Sequence, residues 1–209
     1  MKSKRLWLLL AVPAVGVSLY SARYLLLGPA LFLALQHATY ASHLFPLLPH
    51  VAGGVIALSL GPLQFLPGIR RRWLRAHRLI GRAYVGGAIL AGLGGIGMVP
   101  LSLGGMMAHV GFLVLAGMVL ASTVAGLVAI LRRRVDSHRA WTMRSYALIF
   151  SAVTFRAWIG LIVALHLPFP EAYAVGSWVT PLIDLIVAEW LIGRKAVRRV
   201  VGPVATAVR

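Results

Sequence analysis

Apolar residues fall into six long runs, approximately Leu6–Leu27, Pro46–Leu66, Leu79–Leu101, Met107–Leu131, Trp141–Leu165 and Ala174–Ile192. A helix rises ~1.5 Å per residue, so about 20 apolar residues cross a ~30 Å hydrocarbon core once. Polar residues are confined to short stretches between the runs, leaving no room for an extramembrane domain. The pattern predicts an all-α, polytopic integral membrane bundle of six transmembrane helices.

The third run carries Gly81, Gly86, Gly87, Gly92, Gly94, Gly95 and Gly97. Small residues let membrane helices approach closely, so this helix is expected at the centre. Gly28–Phe45 is only mildly apolar, holds His37, Tyr40 and His43, and reads as an interfacial or re-entrant segment capping the bundle. Met1–Ala22 has the shape of a secretory signal, with Ser18-Leu19-Tyr20-Ser21-Ala22 as a cleavage site. An uncleaved first helix is expected instead, because the apolar pattern continues past Arg23 to Leu27. Trp7, Trp73, Trp141 and Trp190 map to the inner interface and Trp178 to the outer, as an aromatic belt requires.

At 60% hydrophobic and 12% charged, with a mean hydropathy of +0.87, the composition excludes a soluble domain. The net charge of +17 would suggest nucleic acid in a soluble protein. Its distribution argues otherwise. Apart from Arg23 and Arg156, every basic residue lies in one of four clusters: Lys2 to Arg5, Arg70 to Arg82, Arg132 to Arg144, and Arg194 to Arg209. Six spans place all four on one side, and the positive-inside rule puts both termini in the cytoplasm of a bacterial inner membrane. The charge is then a topology signal that also attracts anionic headgroups, and no nucleic-acid partner is implied. The absence of cysteine excludes disulfides, thiolate metal sites, iron–sulfur clusters and covalent c-type haem.

Two stretches repeat. His50-Val51 leads to Arg70-Arg71-Arg72, His77-Arg78 and Arg82-x-Tyr84; His109-Val110 leads to Arg132-Arg133-Arg134, His138-Arg139 and Arg144-x-Tyr146. The histidine spacings are 27 and 29 residues, about one membrane crossing each. The chain therefore divides into a first span with its outer segment (1–45), a duplicated four-helix core (46–166), and a last span with a basic tail (167–209). The repeat is parallel, pairing spans 2–3 with spans 4–5 about an axis along the membrane normal.

That symmetry sets His50 against His109 near the outer face and His77 against His138 near the inner face. A bis-histidine b-type haem needs two imidazoles at equal depth on opposing helices, with small residues to admit the porphyrin. Gly53, Gly54 and Gly81 lie one turn from His50 and His77, whereas the second copy has Leu113 and Thr142 there. Arg78, Arg82, Arg139 and Arg144 are the expected partners of haem propionates. A histidine at a helix end is equally explained as a headgroup-level residue, and the inner pair within its arginines as part of a lipid-phosphate site.

Arg156 and Asp184 fall inside spans and are expected to pair, while Glu189 lies close in depth to Arg144 and Tyr146. This group reads either as a proton route or a site for a quinone-like or anionic substrate, or as structural bridges locking the last two helices together.

Several segments resemble a bacterial family of predicted multi-span membrane proteins catalogued as domain of unknown function 2306. They run from His50-Val51-Ala52-Gly53-Gly54 through Gly61-Pro62-Leu63-Gln64-Phe65, and from His77-Arg78 through Gly81-Arg82-x-Tyr84. They continue with His138-Arg139-x-Trp141-x-Met143-Arg144-Ser145-Tyr146-Ala147, Thr154-Phe155-Arg156 and Ala188-Glu189-Trp190. The resemblance implies the membrane fold and no activity, and His109 is not one of its positions. In layout alone the four histidines are similar to transmembrane b-type cytochromes.

Two functions follow. One is a membrane redox protein holding one or two b haems, exchanging electrons with quinol or a membrane partner. The other is a non-redox transport or binding protein in which Arg156, Asp184 and Glu189 handle an anionic or lipid-like ligand. An accessory subunit without chemistry is the third reading.

Overall fold

Six helices long and apolar enough to cross a membrane make up the bundle. The computed structural model describes residues 4–27 and 37–204, with side chains described as far as Arg194. The helices are α1 (Lys4–Leu26), α2 (His37–Ser42), α3 (Leu44–Gln64), α4 (Pro67–Arg72), α5 (Leu74–Met98), α6 (Gly105–Leu131), α7 (Val135–Ala164) and α8 (Phe169–Val204). Of the expected capping segment, α2 is described and residues 28–36 lie outside the described residues, as do Lys2 and Arg209. Large apolar side chains point outward along the shaft, among them Leu9, Leu19, Leu26 and Leu131. In water such a surface would aggregate; against acyl chains it is the correct exterior.

Helices α5 and α7 begin about one and a half turns before the apolar runs do, taking in Arg75 and Arg78, and Asp136 and Arg139. Arginine is a good helix former and its stem reaches to the interface, so the helix has no reason to stop where hydrophobicity does. The far ends close differently. Arg133 (φ 57°) ends α6 and His166 (φ 52°) ends α7 in the left-handed conformation usually left to glycine. There the Arg134 N–H donates to Ala129 O at 2.8 Å, and the Leu167 N–H to Ile162 O at 3.0 Å.

Glycine sets the tightest contact. Gly53 of α3 lies directly on the backbone of Gly87 and Ala91 in α5, and Gly94 of α5 lies on the backbone of His50. Any side chain at these positions would drive the two helices apart. On its other side α5 packs on α6, with Gly92 against Leu120. Helix α7 then packs on α6, and α8 covers α6 and α7. Thus α3, α5, α6 and α7 form a ring whose last seam, α3 to α7, is sparse; α1 lies on α3 and reaches across to α7.

The core of the ring contains Ala57, Leu58, Tyr84, Ala88, Val119, Tyr146 and Leu148. Its hydroxyls are satisfied across helices. Tyr84 Oη and Thr123 Oγ1 each lie 2.7 Å from Ser145 Oγ, and Tyr146 Oη donates to Leu58 O at 3.2 Å. Three of the tryptophans also tie elements together. Trp7 Nε1 donates to Pro62 O, Trp178 Nε1 to Met107 O and Trp158 Nε1 to Ala172 O.

Candidate functional site

A cavity of about 750 Å³ opens inside the bundle, in the half away from the basic clusters. On α3 its lining runs from Leu47 to Leu58, roughly 16 Å along the helix axis. Small residues create it: Gly54, Ala91, Gly92, Gly95, Ala116 and Ala152 face it from four helices, and nothing lies within 4 Å of where a Gly54 side chain would begin. One wall is aromatic, with Phe155 and Tyr173 ring centroids 5.1 Å apart and Phe112 within 5.7 Å of both. The size suits a small organic ligand, and the lining is mostly apolar with few polar groups.

Those few converge. Arg156 lines the cavity from α7, donating to Ala152 O at 2.8 Å and to Ser21 Oγ of α1 at 3.1 Å. Tyr20, Tyr24, Tyr40 and Tyr173 line the same cavity, the hydroxyls of Tyr20 and Tyr24 accepting from Arg23 Nη2 at 2.6 and 3.4 Å. None of the chain's four carboxylates pairs with Arg156. His50 lines the same cavity from α3. Its Nδ1 sits 2.9 Å from the Ala91 carbonyl, which only accepts, so Nδ1 carries the proton and Nε2 keeps a lone pair. The site therefore offers a guanidinium and an imidazole acceptor against an apolar wall.

The expected Arg156–Asp184 pair does not form. Asp184 accepts instead from Thr154 Oγ1 at 2.7 Å, buried between α7 and α8. Residues two apart on a helix point about 200° from one another, so Thr154 meets α8 while Arg156 turns to α1 and the cavity. Glu189 is taken by Arg144, whose Nη2 donates at 2.9 Å while its Nε binds the other oxygen, and Arg144 also lies over the Trp141 ring at 4.7 Å. This bridge joins α7 to α8 and engages the guanidinium that was expected at a haem propionate. Arg139 faces Asp136 at 3.3 Å, and Arg78 and Arg82 are exposed.

The two histidines of the expected outer pair take different backbone partners. His109 Nε2 bonds the Ser102 carbonyl at 3.1 Å and does not line the cavity, which His50 and Arg156 do. Of the glycines read as porphyrin windows, Gly53 is filled by α5 backbone and Gly81 is faced by the Gln64 side chain. Only Gly54 opens on a space. Leu113, its counterpart in the second copy, points outward. At the inner end, His138 Nδ1 lies 2.8 Å from Gly126 O and 3.4 Å from Thr142 Oγ1.

Tyr20 and Tyr24 were not singled out from the sequence, whereas Tyr40 was placed in the outer segment and Tyr173, with Glu171, in an outer turn able to gate a site there. Tyr20 and Tyr24, spaced i,i+4 with Ser21 beside them, were the available signal that one face of α1 is polar.

The family model described as "Predicted membrane protein (DUF2306)" matches residues 47–192. The chain belongs to this family. The matched segment includes Leu47, His50, Arg156 and Tyr173, whereas Tyr20, Tyr24 and Tyr40 precede it. No curated protein and no solved structure matches the chain.

Proposed function

We propose that this membrane protein binds an amphiphile with an anionic head, holding the head at Arg156 and His50 and the apolar tail along the α3–α6–α7 lining. The observation that carries this reading is the guanidinium itself. A cation facing an apolar space inside a membrane is costly, and such residues ordinarily find a partner. Arg156 has hydroxyl and carbonyl acceptors but no carboxylate, so the missing negative charge is the ligand's. The His50 Nε2 lone pair adds an acceptor for a protonated or hydroxylated head.

The test is binding of cis-parinaric acid, a fluorescent fatty acid, to the full chain in neutral detergent. A hydrogen bond to a charged group contributes about 1.5–3 kcal/mol, so Arg156→Gln should weaken binding by roughly tenfold to a hundredfold. Arg156→Lys should retain part of the affinity. Equal binding by Arg156→Gln, or equal binding of an uncharged fatty alcohol, would remove the reading.

The redox alternative drew on four facing imidazoles, of which His50, His109 and His138 each bond a separate backbone carbonyl. We expect protein purified from haem-replete membranes to show no Soret band; a stoichiometric pyridine haemochrome signal would reinstate electron transfer.

A further inference from the structure

Deep in the spans, among the described residues, an arginine and an acid stand near the cavity without pairing. Arg156 lines it, and Asp184 is buried between α7 and α8. The partner of Asp184 is a hydroxyl. Thr154 Oγ1 lies 2.7 Å from its Oδ2 and also 3.2 Å from Ser151 O. A threonine hydroxyl has one hydrogen to give. While the carboxyl is ionised, that hydrogen goes to Asp184. A protonated carboxyl donates to Thr154 Oγ1 instead, whose own hydrogen is then free for Ser151 O, and both contacts are hydrogen bonds. The same side chains therefore hold Asp184 with or without a proton, by turning one hydroxyl and moving no heavy atom.

The acid adjoins the cavity. Ser151, one turn before Thr154 on α7, and Thr180, one turn before Asp184 on α8, both line it. The other ionisable groups on the packed helices are engaged or distant. Helix α6 has none between His109 and Arg132. On α7, Arg144 is bridged to Glu189 of α8, Tyr146 donates to Leu58 O, and Arg156 turns to α1. On α8, Glu171 and Tyr173 lie three turns or more from Asp184, and the rest of both helices' ionisable residues belong to the basic end. With Asp184 ionised, its charge and that of Arg156 offset each other across one apolar region. An anion bound at Arg156 takes up the positive charge and leaves Asp184 uncompensated where that is costly. A proton on Asp184 restores neutrality.

We propose that Asp184 is a proton-binding site coupled to the cavity, so that the anionic ligand enters together with a proton. The inference rests on the amphiphile reading of the cavity and adds proton coupling to it. In the step, the Asp184 carboxylate takes one proton from the aqueous phase and becomes a carboxylic acid; no other covalent bond changes. In a membrane that carries a proton gradient, ligand occupancy is then linked to that gradient.

The experiment uses the full chain in phosphatidylcholine nanodiscs, with decanesulfonate as the probe. Its head stays ionised and carries no carbonyl, so any proton taken up belongs to the protein. Calorimetry in buffers of differing protonation enthalpy counts the protons taken up per bound sulfonate across about pH 5–9. Infrared difference spectra follow the carbonyl stretch of a protonated carboxyl. The wild type should approach one proton per sulfonate at the pH of greatest uptake, and the carboxyl band should grow on binding. Asp184→Asn, which matches the neutral acid in shape, should still bind the sulfonate but lose most of the uptake and the band. Thr154→Val keeps the acid without its partner and should move the pH of greatest uptake, which keeps the test decisive should Asp184→Asn fail to fold. Binding without proton uptake anywhere in this range would overturn the coupling and spare the amphiphile reading. Equal uptake in Asp184→Asn would assign the proton to another group, His50 first, and would overturn it as well. Absence of sulfonate binding would remove both readings.

Discussion

Ser145 has no exposed surface, and its hydroxyl serves Tyr84 and Thr123 at once, so one side chain joins α5, α6 and α7. Hydrogen bonds between membrane helices average ~0.6 kcal/mol and reach ~1.7, because the unfolded segments also find partners in the bilayer. Ser145→Ala leaves two buried hydroxyls without their shared partner and should cost about 1–2 kcal/mol, measured by reversible unfolding in mixed micelles. Tyr84→Phe removes only one bond and should cost about half as much; a larger loss than Ser145→Ala would show that the ring, rather than the hydroxyl network, carries the effect. At this scale the sequence was legible for residue type and blind to direction. Arg156 stood out as a cation inside a span, and its depth suited Asp184. Which way it pointed depended on the two-residue offset from Thr154, and on α1 lying against the α3–α7 seam.

Between elements, glycine was readable as a licence for close approach but not as to what approaches. The glycines of α5, read as marking a central helix, lie against α3 on one side and α6 on the other. Gly53 and Gly81 looked the same as Gly54 from the sequence, yet backbone fills the first and Gln64 faces the second, and only Gly54 opens on a cavity. A small residue admits a cofactor or a neighbouring helix equally well, and only the packing distinguishes them. The distinction is testable. Gly53→Leu must separate α3 from α5, and overpacking of this kind costs typically 1–3 kcal/mol. Gly54→Leu should leave the unfolding midpoint nearly unchanged while reducing the space for ligand, seen as weaker cis-parinaric acid binding. Loss of stability in both variants would mean that the cavity wall is itself a packing surface.

At the scale of the whole molecule, the six spans were the most legible feature, because hydrocarbon thickness imposes a length that composition alone records. The cavity was invisible by the same reasoning: it is assembled from small residues on four helices, with α1 and α8 closing the sides, and no linear pattern encodes it. Orientation lies between these cases, since short connections put the basic clusters at one end while the side of the membrane they occupy rests on the charge rule. The natural absence of cysteine makes this directly measurable. Single cysteines at Arg5, Arg72 and Arg194 should react with an impermeant maleimide only after the cytoplasmic face is opened. One at Gly105 or Glu171, at the opposite end of the bundle, should react in intact cells. The reverse labelling would place the cation-rich end outside; the cavity would then face the cytoplasmic leaflet, and its ligand would have to come from that side. Labelling of Arg5 and Arg194 from opposite faces would be incompatible with six spans altogether.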